Sequence, residues 1–219
     1  MRSNVPSTHA ARLSVGFAAT AFILATTVIT TAQAPEDDPT LSALARALDR
    51  RMTVWSAGER VIYVSHCRAA RGGCRQRVAT FSRLIDRASR DNDLDPFLLA
   101  AVAVRESGMD PQATGAAGER GIVQLHPRGT GSSIRFVQNE SYRRRCARRP
   151  GHCQAEVLEA GARLLASSIR RCGGVREGLG AYNRGECGAT DYSRRVMIER
   201  QRLLRLTKSE GARSIHDID

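Results

Sequence analysis

Glu106 is the residue of this 219-residue sequence best placed for acid–base chemistry. The apolar run Phe97 to Val104 leads into it, and Gly108, a natural helix stop, follows two residues later. A carboxyl at the end of a buried helix meets low dielectric and the negative end of the helix dipole. Both disfavour its ionised form, and Arg105 opposes them if it points the same way. A carboxylic acid still protonated near neutral pH is what a general acid requires. The competing reading is a last-turn Glu that simply reaches solvent. Asp110, Glu119 and Glu186 are the nearest other carboxylates that could act beside it, and each reads as a solvated loop charge. His126 could titrate near neutral pH but reads as an ordinary loop histidine.

The elements that must position Glu106 are helical. Asp95-Pro96 is a helix start, with a side-chain acceptor at the N-cap and proline at the first helical position. Leu41, Leu44, Leu48, Met52 and Trp55 form one amphipathic stripe, and Val78, Phe81, Leu84, Ile85 and Ala88 a second, ending near Arg90 to Asp93. Residues 109–133 are rich in Gly, Pro, Thr and Ser and read as a loop with one short helix. Val157, Gly161, Leu164, Leu165, Ser168 and Ile169 mark a further helix, broken by Gly173-Gly174. A short helix over 176–182 and a last one through Tyr192, Val196 and Leu203 complete the pattern. Nothing shows strand alternation, so the fold class is mostly α.

The first 34 residues read as an export signal. Arg2 and Arg12 precede an uncharged apolar run, Leu13 to Ile29, which ends at Ala32-Gln33-Ala34 with the spacing a signal peptidase accepts. Glu36, Asp37 and Asp38 follow, so the charge asymmetry exports what lies beyond. Pro35 would be a poor first mature residue, which leaves an uncleaved N-terminal anchor as the alternative. Both place the rest in the periplasm or outside the cell. Six cysteines follow the signal: Cys67, Cys74, Cys146, Cys153, Cys172 and Cys187. An even count in an exported chain reads as disulfides, most simply paired in sequence order. No C-x-x-C pair is present, and His66 and His152 beside cysteines do not make a zinc site, so no metal and no cofactor is expected.

Three segments carry a family resemblance. Residues 106–127 read ESGMDPQATGAAGERGIVQLHP and residues 181–185 read AYNRG, with the helix VLEAGARLLASSI (157–169) between them. Together they resemble the soluble lytic transglycosylase catalytic domain, a member of the lysozyme superfamily related to goose-type lysozyme, over roughly residues 90–190. Glu106-Ser107, Gly121-Ile122-Val123-Gln124 and Ala181-Tyr182-Asn183 with Gly185 match its segments, Val123 standing where Met is usual. The resemblance implies a single lysozyme-like helical domain that cleaves peptidoglycan between N-acetylmuramic acid and N-acetylglucosamine. Glu106 would serve as both acid and base, and the C6 hydroxyl would attack internally to give a 1,6-anhydro sugar. Such enzymes let the substrate's acetamido group stabilise the cation, so one carboxylate suffices. Tyr182 would hydrogen-bond and orient Glu106. Ser107 and Gln124 would contact glycan or hold the cleft wall, and Asn183 would fix the backbone near the tyrosine. Val123 would thin a wall and widen a subsite. Arg184 departs from the usual small residue and would meet a stem carboxylate or solvent. A Cys172–Cys187 bond would clamp the segment carrying Tyr182.

The boundaries that follow are a signal or anchor at 1–34, a helical extension at 35–90, a catalytic domain at 91–206 and a polar tail at 207–219. The extension matches no motif and could dock an envelope partner. A hydrolytic lysozyme on the same fold and a non-catalytic cationic wall-binding module are the alternatives. The formal net charge of +12 looks like a nucleic-acid signature, but Lys208 is the chain's only lysine and the excess is an arginine habit. No nucleic acid is expected as a partner. The excess favours adsorption to a wall whose peptide stems carry carboxylates. Besides Tyr182, the aromatic side chains available as sugar platforms are Trp55, Tyr63 and Tyr142.

Overall fold

A computed structural model describes residues 39–57, 60–70 and 72–208; the expected signal or anchor at 1–34 and the tail beyond 208 lie outside them. The described chain is mostly helical. Helix α1 (Pro39–Met52) is followed by a two-stranded antiparallel hairpin, β1 (Thr53–Ala57) and β2 (Arg60–Tyr63). Then come α2 (Ser65–Arg68), α3 (Gly73–Arg90), α4 (Pro96–Ser107), a 3-10 turn at Thr130–Ser133, α5 (Arg135–Gln138), α6 (Glu140–Cys146), α7 (Pro150–Cys172), α8 (Val175–Arg184) and α9 (Asp191–Lys208).

Helix α4 is the centre of the fold. Every residue from Phe97 to Val104 is buried, so the helix has no solvent face, as its unbroken apolar run requires. Its twelve residues span about 18 Å, well short of a bilayer core. Among the described residues no helix is long and apolar enough to cross a membrane. Helices α3 and α9 pack on α4, and α7 packs on both α3 and α8. Asp95 caps α4 by accepting from the Phe97 amide at 2.9 Å, and its other oxygen takes an ion pair from Arg200 of α9. The opposite end of α4 is tied to the first turn of α9, so the two helices run antiparallel and are pinned at both ends.

Residues 39–90 share this core. Leu44, Ala47, Leu48 and Met52 of α1 join Val78, Phe81 and Ile85 of α3 in one apolar cluster with α4. Arg51 pairs with the buried Glu199 of α9 at 2.6 Å. The helical stripe read through Trp55 ends at Met52 instead. From Thr53 onward β-branched and aromatic residues (Thr53-Val54-Trp55 and Val61-Ile62-Tyr63) favour pairing, with Trp55 opposite Ile62. The expectation of no strand therefore fails at this hairpin, which leaves Val54, Trp55 and Ile62 exposed. Short helices α5 and α6 also fill a stretch that carried no apolar stripe.

All six cysteines are bonded, as Cys67–Cys74, Cys146–Cys153 and Cys172–Cys187. The first fixes α2 to the start of α3, the second joins α6 to the first turn of α7, and the third ties the end of α7 to the segment just past α8.

Candidate active site

The last turn of α4 delivers Glu106 to the floor of a cleft of about 690 Å³. The loop after α4 supplies Gly115, Glu119, Gln124 and His126 to this cleft, α7 supplies Leu164, and α8 supplies Tyr182, Asn183 and Arg184. Burial raises the Glu106 pKa above the ordinary carboxylate value. A hydrogen bond from Tyr192 lowers it in part, the charge of Glu119 raises it, and Arg105 pulls it down again. The net direction is upward, toward a carboxyl that keeps its proton.

Tyr192 is the partner that the sequence did not single out. Its hydroxyl donates to Glu106 Oε1 at 2.5 Å. Its place follows from the start of α9, where Thr190 Oγ1 accepts from the Ser193 amide at 3.1 Å, an N-cap arrangement. Ser193 Oγ in turn donates to the Arg176 carbonyl of α8 at 2.7 Å. These bonds fix the first turn of α9 and aim Tyr192 inward, where it is 8% exposed. Burial and the adjacent Glu106 push its phenol pKa well up, so it remains a donor.

Tyr182 does something other than bond to Glu106. Its hydroxyl donates to the Val123 carbonyl at 2.8 Å, and burial followed by the Glu106 charge raises its pKa well above the usual phenol value. It stands close enough to Glu106 to feel that charge, but the bond goes to the loop. The reason is the tight seating of residues 121–125 against α7. Gly161 has no side chain, and a Cβ there would meet Val123 Cγ2 at 2.6 Å. Val123 is thereby fully buried, with its carbonyl presented to Tyr182. Val123 consequently lines no part of the cleft, and the expected widening of a subsite does not occur.

The loop is held from below by a buried amide. Gln154 of α7 accepts from the Ile122 amide at 2.9 Å and donates to the Pro111 carbonyl at 3.0 Å. Gly121 makes this possible: its φ is 81°, and a Cβ would stand 2.9 Å from Gln154 Oε1. Gln124, with a left-handed φ of 49°, donates its side-chain amide to the carbonyls of Gly121 (2.8 Å) and Ala113 (3.2 Å). Ser107 Oγ donates to the Ile122 carbonyl at 2.8 Å, joining the end of α4 to the same loop. Ser107 therefore acts as a strut, while Gln124 braces the loop and also lines the cleft.

Asn183 and Arg184 are exposed along the cleft wall, and the Cys172–Cys187 bond closes the segment that carries them and Tyr182. His126 lines the cleft and accepts from the Arg128 amide at 3.1 Å. Of the three further carboxylates, only Glu119 reaches the cleft; Asp110 accepts from the Gln112 amide of its own turn, and Glu186 lies on the exposed surface past α8. Trp55 and Tyr63 lie in the hairpin, and Tyr142 is covered by the Arg135 guanidinium, whose central carbon is 4.4 Å from the tyrosine ring centroid, so of these four Tyr182 is the aromatic that lines the cleft. Among the described residues no cluster of His, Cys, Asp or Glu could hold a metal ion.

Compared with known families, residues 83–204 match the model of the transglycosylase SLT domain. That span runs from within α3 almost to the end of α9 and includes every residue placed around Glu106. No solved structure matches the chain significantly.

Proposed function

The chain belongs to the transglycosylase SLT family, and from that membership we propose a specific reaction. It is a lytic transglycosylase that cleaves the β-1,4 bond between N-acetylmuramic acid and N-acetylglucosamine and leaves a 1,6-anhydro sugar. The family acts on peptidoglycan. The observation that carries the finer reading is the condition of Glu106. It is largely enclosed, raised in proton affinity, and held by one tyrosine at the bottom of an open cleft.

The steps follow from that condition. Tyr192 occupies Oε1, which leaves Oε2 to carry the proton toward the glycosidic oxygen. Glu106 gives that proton to the leaving sugar as the bond breaks. The acetamido group of the substrate takes up the positive charge at the anomeric carbon. The ionised Glu106, stabilised by the Tyr192 hydrogen bond, then accepts the proton of the C6 hydroxyl as its oxygen closes on the anomeric carbon. The proton count returns to its start without water. Burial favours the acid form and the hydrogen bond favours the base form, so one carboxyl can serve in both roles. Ser107, Gln124, Tyr182 and Asn183 shape the cleft around it.

Purified peptidoglycan digested with the protein and analysed by mass spectrometry tests this reading. The expected fragments end in anhydro-muramoyl groups and are lighter by one water than hydrolysed ones. Reducing ends that incorporate heavy oxygen from labelled water would assign the chain to hydrolysis instead.

A further inference from the structure

Glu119 shares the cleft with Glu106, although in sequence it reads as a loop charge. Its carboxylate is held by its own turn, with Oε2 accepting from the Ala117 amide at 3.0 Å. Beneath it lies Gly115, where a Cβ would stand 2.3 Å from Glu119 Oε2 and 2.8 Å from Gln124 Oε1. Two acceptor oxygens thus converge over a residue that has no side chain. Gln124 has already given its amide hydrogens to Ala113 and Gly121, so it presents its carbonyl oxygen on this side. Neither oxygen can donate to the other. The Ala117 amide leaves Glu119 with acceptor capacity to spare, so the pair can take a further donor or a positive charge that enters the cleft.

We propose that Glu119 is a second working carboxylate of this cleft and, with the Gln124 oxygen beside it, stabilises the positive charge that develops on the sugar as the glycosidic bond breaks. The proposal rests on the transglycosylase reading and extends it: the substrate's acetamido group shares the charge with a protein anion. Preorganised charge aimed at a developing cation is among the larger contributions an enclosed site can make. Glu119 also acts on Glu106, whose proton it helps retain. The other groups that bear on Glu106 are Arg105 of α4, Tyr182 of α8 and Tyr192 of α9. His126, Arg128 and Arg184 line the cleft with Glu119. A charge change at Glu119 is therefore read against a fixed set of neighbours.

The test is Glu119→Gln, which keeps shape and removes charge, assayed on purified sacculi across pH. The expected result is a fall in kcat of about tenfold, with KM changed less than about twofold. The alkaline limb of the kcat profile should also move to lower pH, because Glu106 loses a neighbour that held its proton on. Glu119→Asp, which keeps the charge, should retain more of the rate, and Gly115→Ala, which displaces both oxygens, should reproduce the loss. A packing role would move the unfolding midpoint and leave the pH limb in place. An active wild type with an equally active and unshifted Glu119→Gln would overturn this proposal alone, as would equal losses in the Gln and Asp variants. A wild type that releases no glycan fragments would overturn the transglycosylase reading and this proposal with it.

Discussion

Replacing Tyr192 with Phe removes one hydroxyl and leaves the ring that packs in the core. The lost interaction is a hydrogen bond donated at 2.5 Å to Glu106 Oε1 inside the fold. Hydrogen bonds to charged groups contribute about 1.5–3 kcal/mol. Because the bond favours the ionised carboxylate, its loss raises the Glu106 pKa, which burial already holds above its ordinary value. The sign is decisive. Glu106 remains a proton donor to higher pH, so the alkaline limb of the rate profile moves upward. The return step suffers, because the base form has lost its stabilising partner, and kcat at neutral pH falls by about ten- to a hundredfold. The assay is release of soluble fragments from sacculi at saturating substrate over a pH series, with circular dichroism to verify the fold. An unmoved limb, or one displaced to lower pH, would refute the assignment of Tyr192 as the residue that sets the ionisation of Glu106.

Three further outcomes are expected. Glu106→Gln should raise the thermal midpoint at neutral pH and leave it nearly unchanged below about pH 4. The raised folded-state pKa means that ionisation costs stability only once pH climbs above the unfolded value near 4.3; equal midpoints at pH 7 would contradict this. Gly121→Ala should cost about 2–3 kcal/mol, from a left-handed φ of 81° and a Cβ 2.9 Å from Gln154 Oε1, read as a midpoint drop of several degrees by calorimetry. Replacing both Cys172 and Cys187 with Ser opens a loop spanning 15 residues and should cost about 3 kcal/mol. Urea unfolding with the other two disulfides intact measures it, and the cleft wall carrying Tyr182 should lose protection from hydrogen exchange before the core does.

The parts of this molecule legible in its sequence are those fixed by local rules. Asp95-Pro96, eight buried apolar residues and Gly108 define α4 without reference to the rest of the chain, and the helix places Glu106 at its end. Tyr192 was hidden because its role depends on the antiparallel run of α9 beside α4, a contact between residues 86 apart. A buried tyrosine needs a partner for its hydroxyl, and Thr190 to Ser193 spell an N-cap, so a signal existed without an address. The Tyr182 hydroxyl goes to the Val123 carbonyl rather than to Glu106 because Gly161 seats the Val123 loop so deeply, and a missing side chain leaves no periodic mark in the sequence. The same holds for Gly115, whose bare Cα lets Glu119 into the cleft. The hairpin was lost to a leucine stripe that runs on by chance to Trp55, past the point where β-branched residues take over.

In the proposed reaction one carboxyl, Glu106, both gives and takes the proton. The most direct measurement is the product profile of Glu106→Gln on purified sacculi, beside its binding to them. Anhydro-ended fragments should disappear while the variant still sediments with the sacculi as the wild type does. Continued release of such fragments by the variant would overturn the assignment of Glu106.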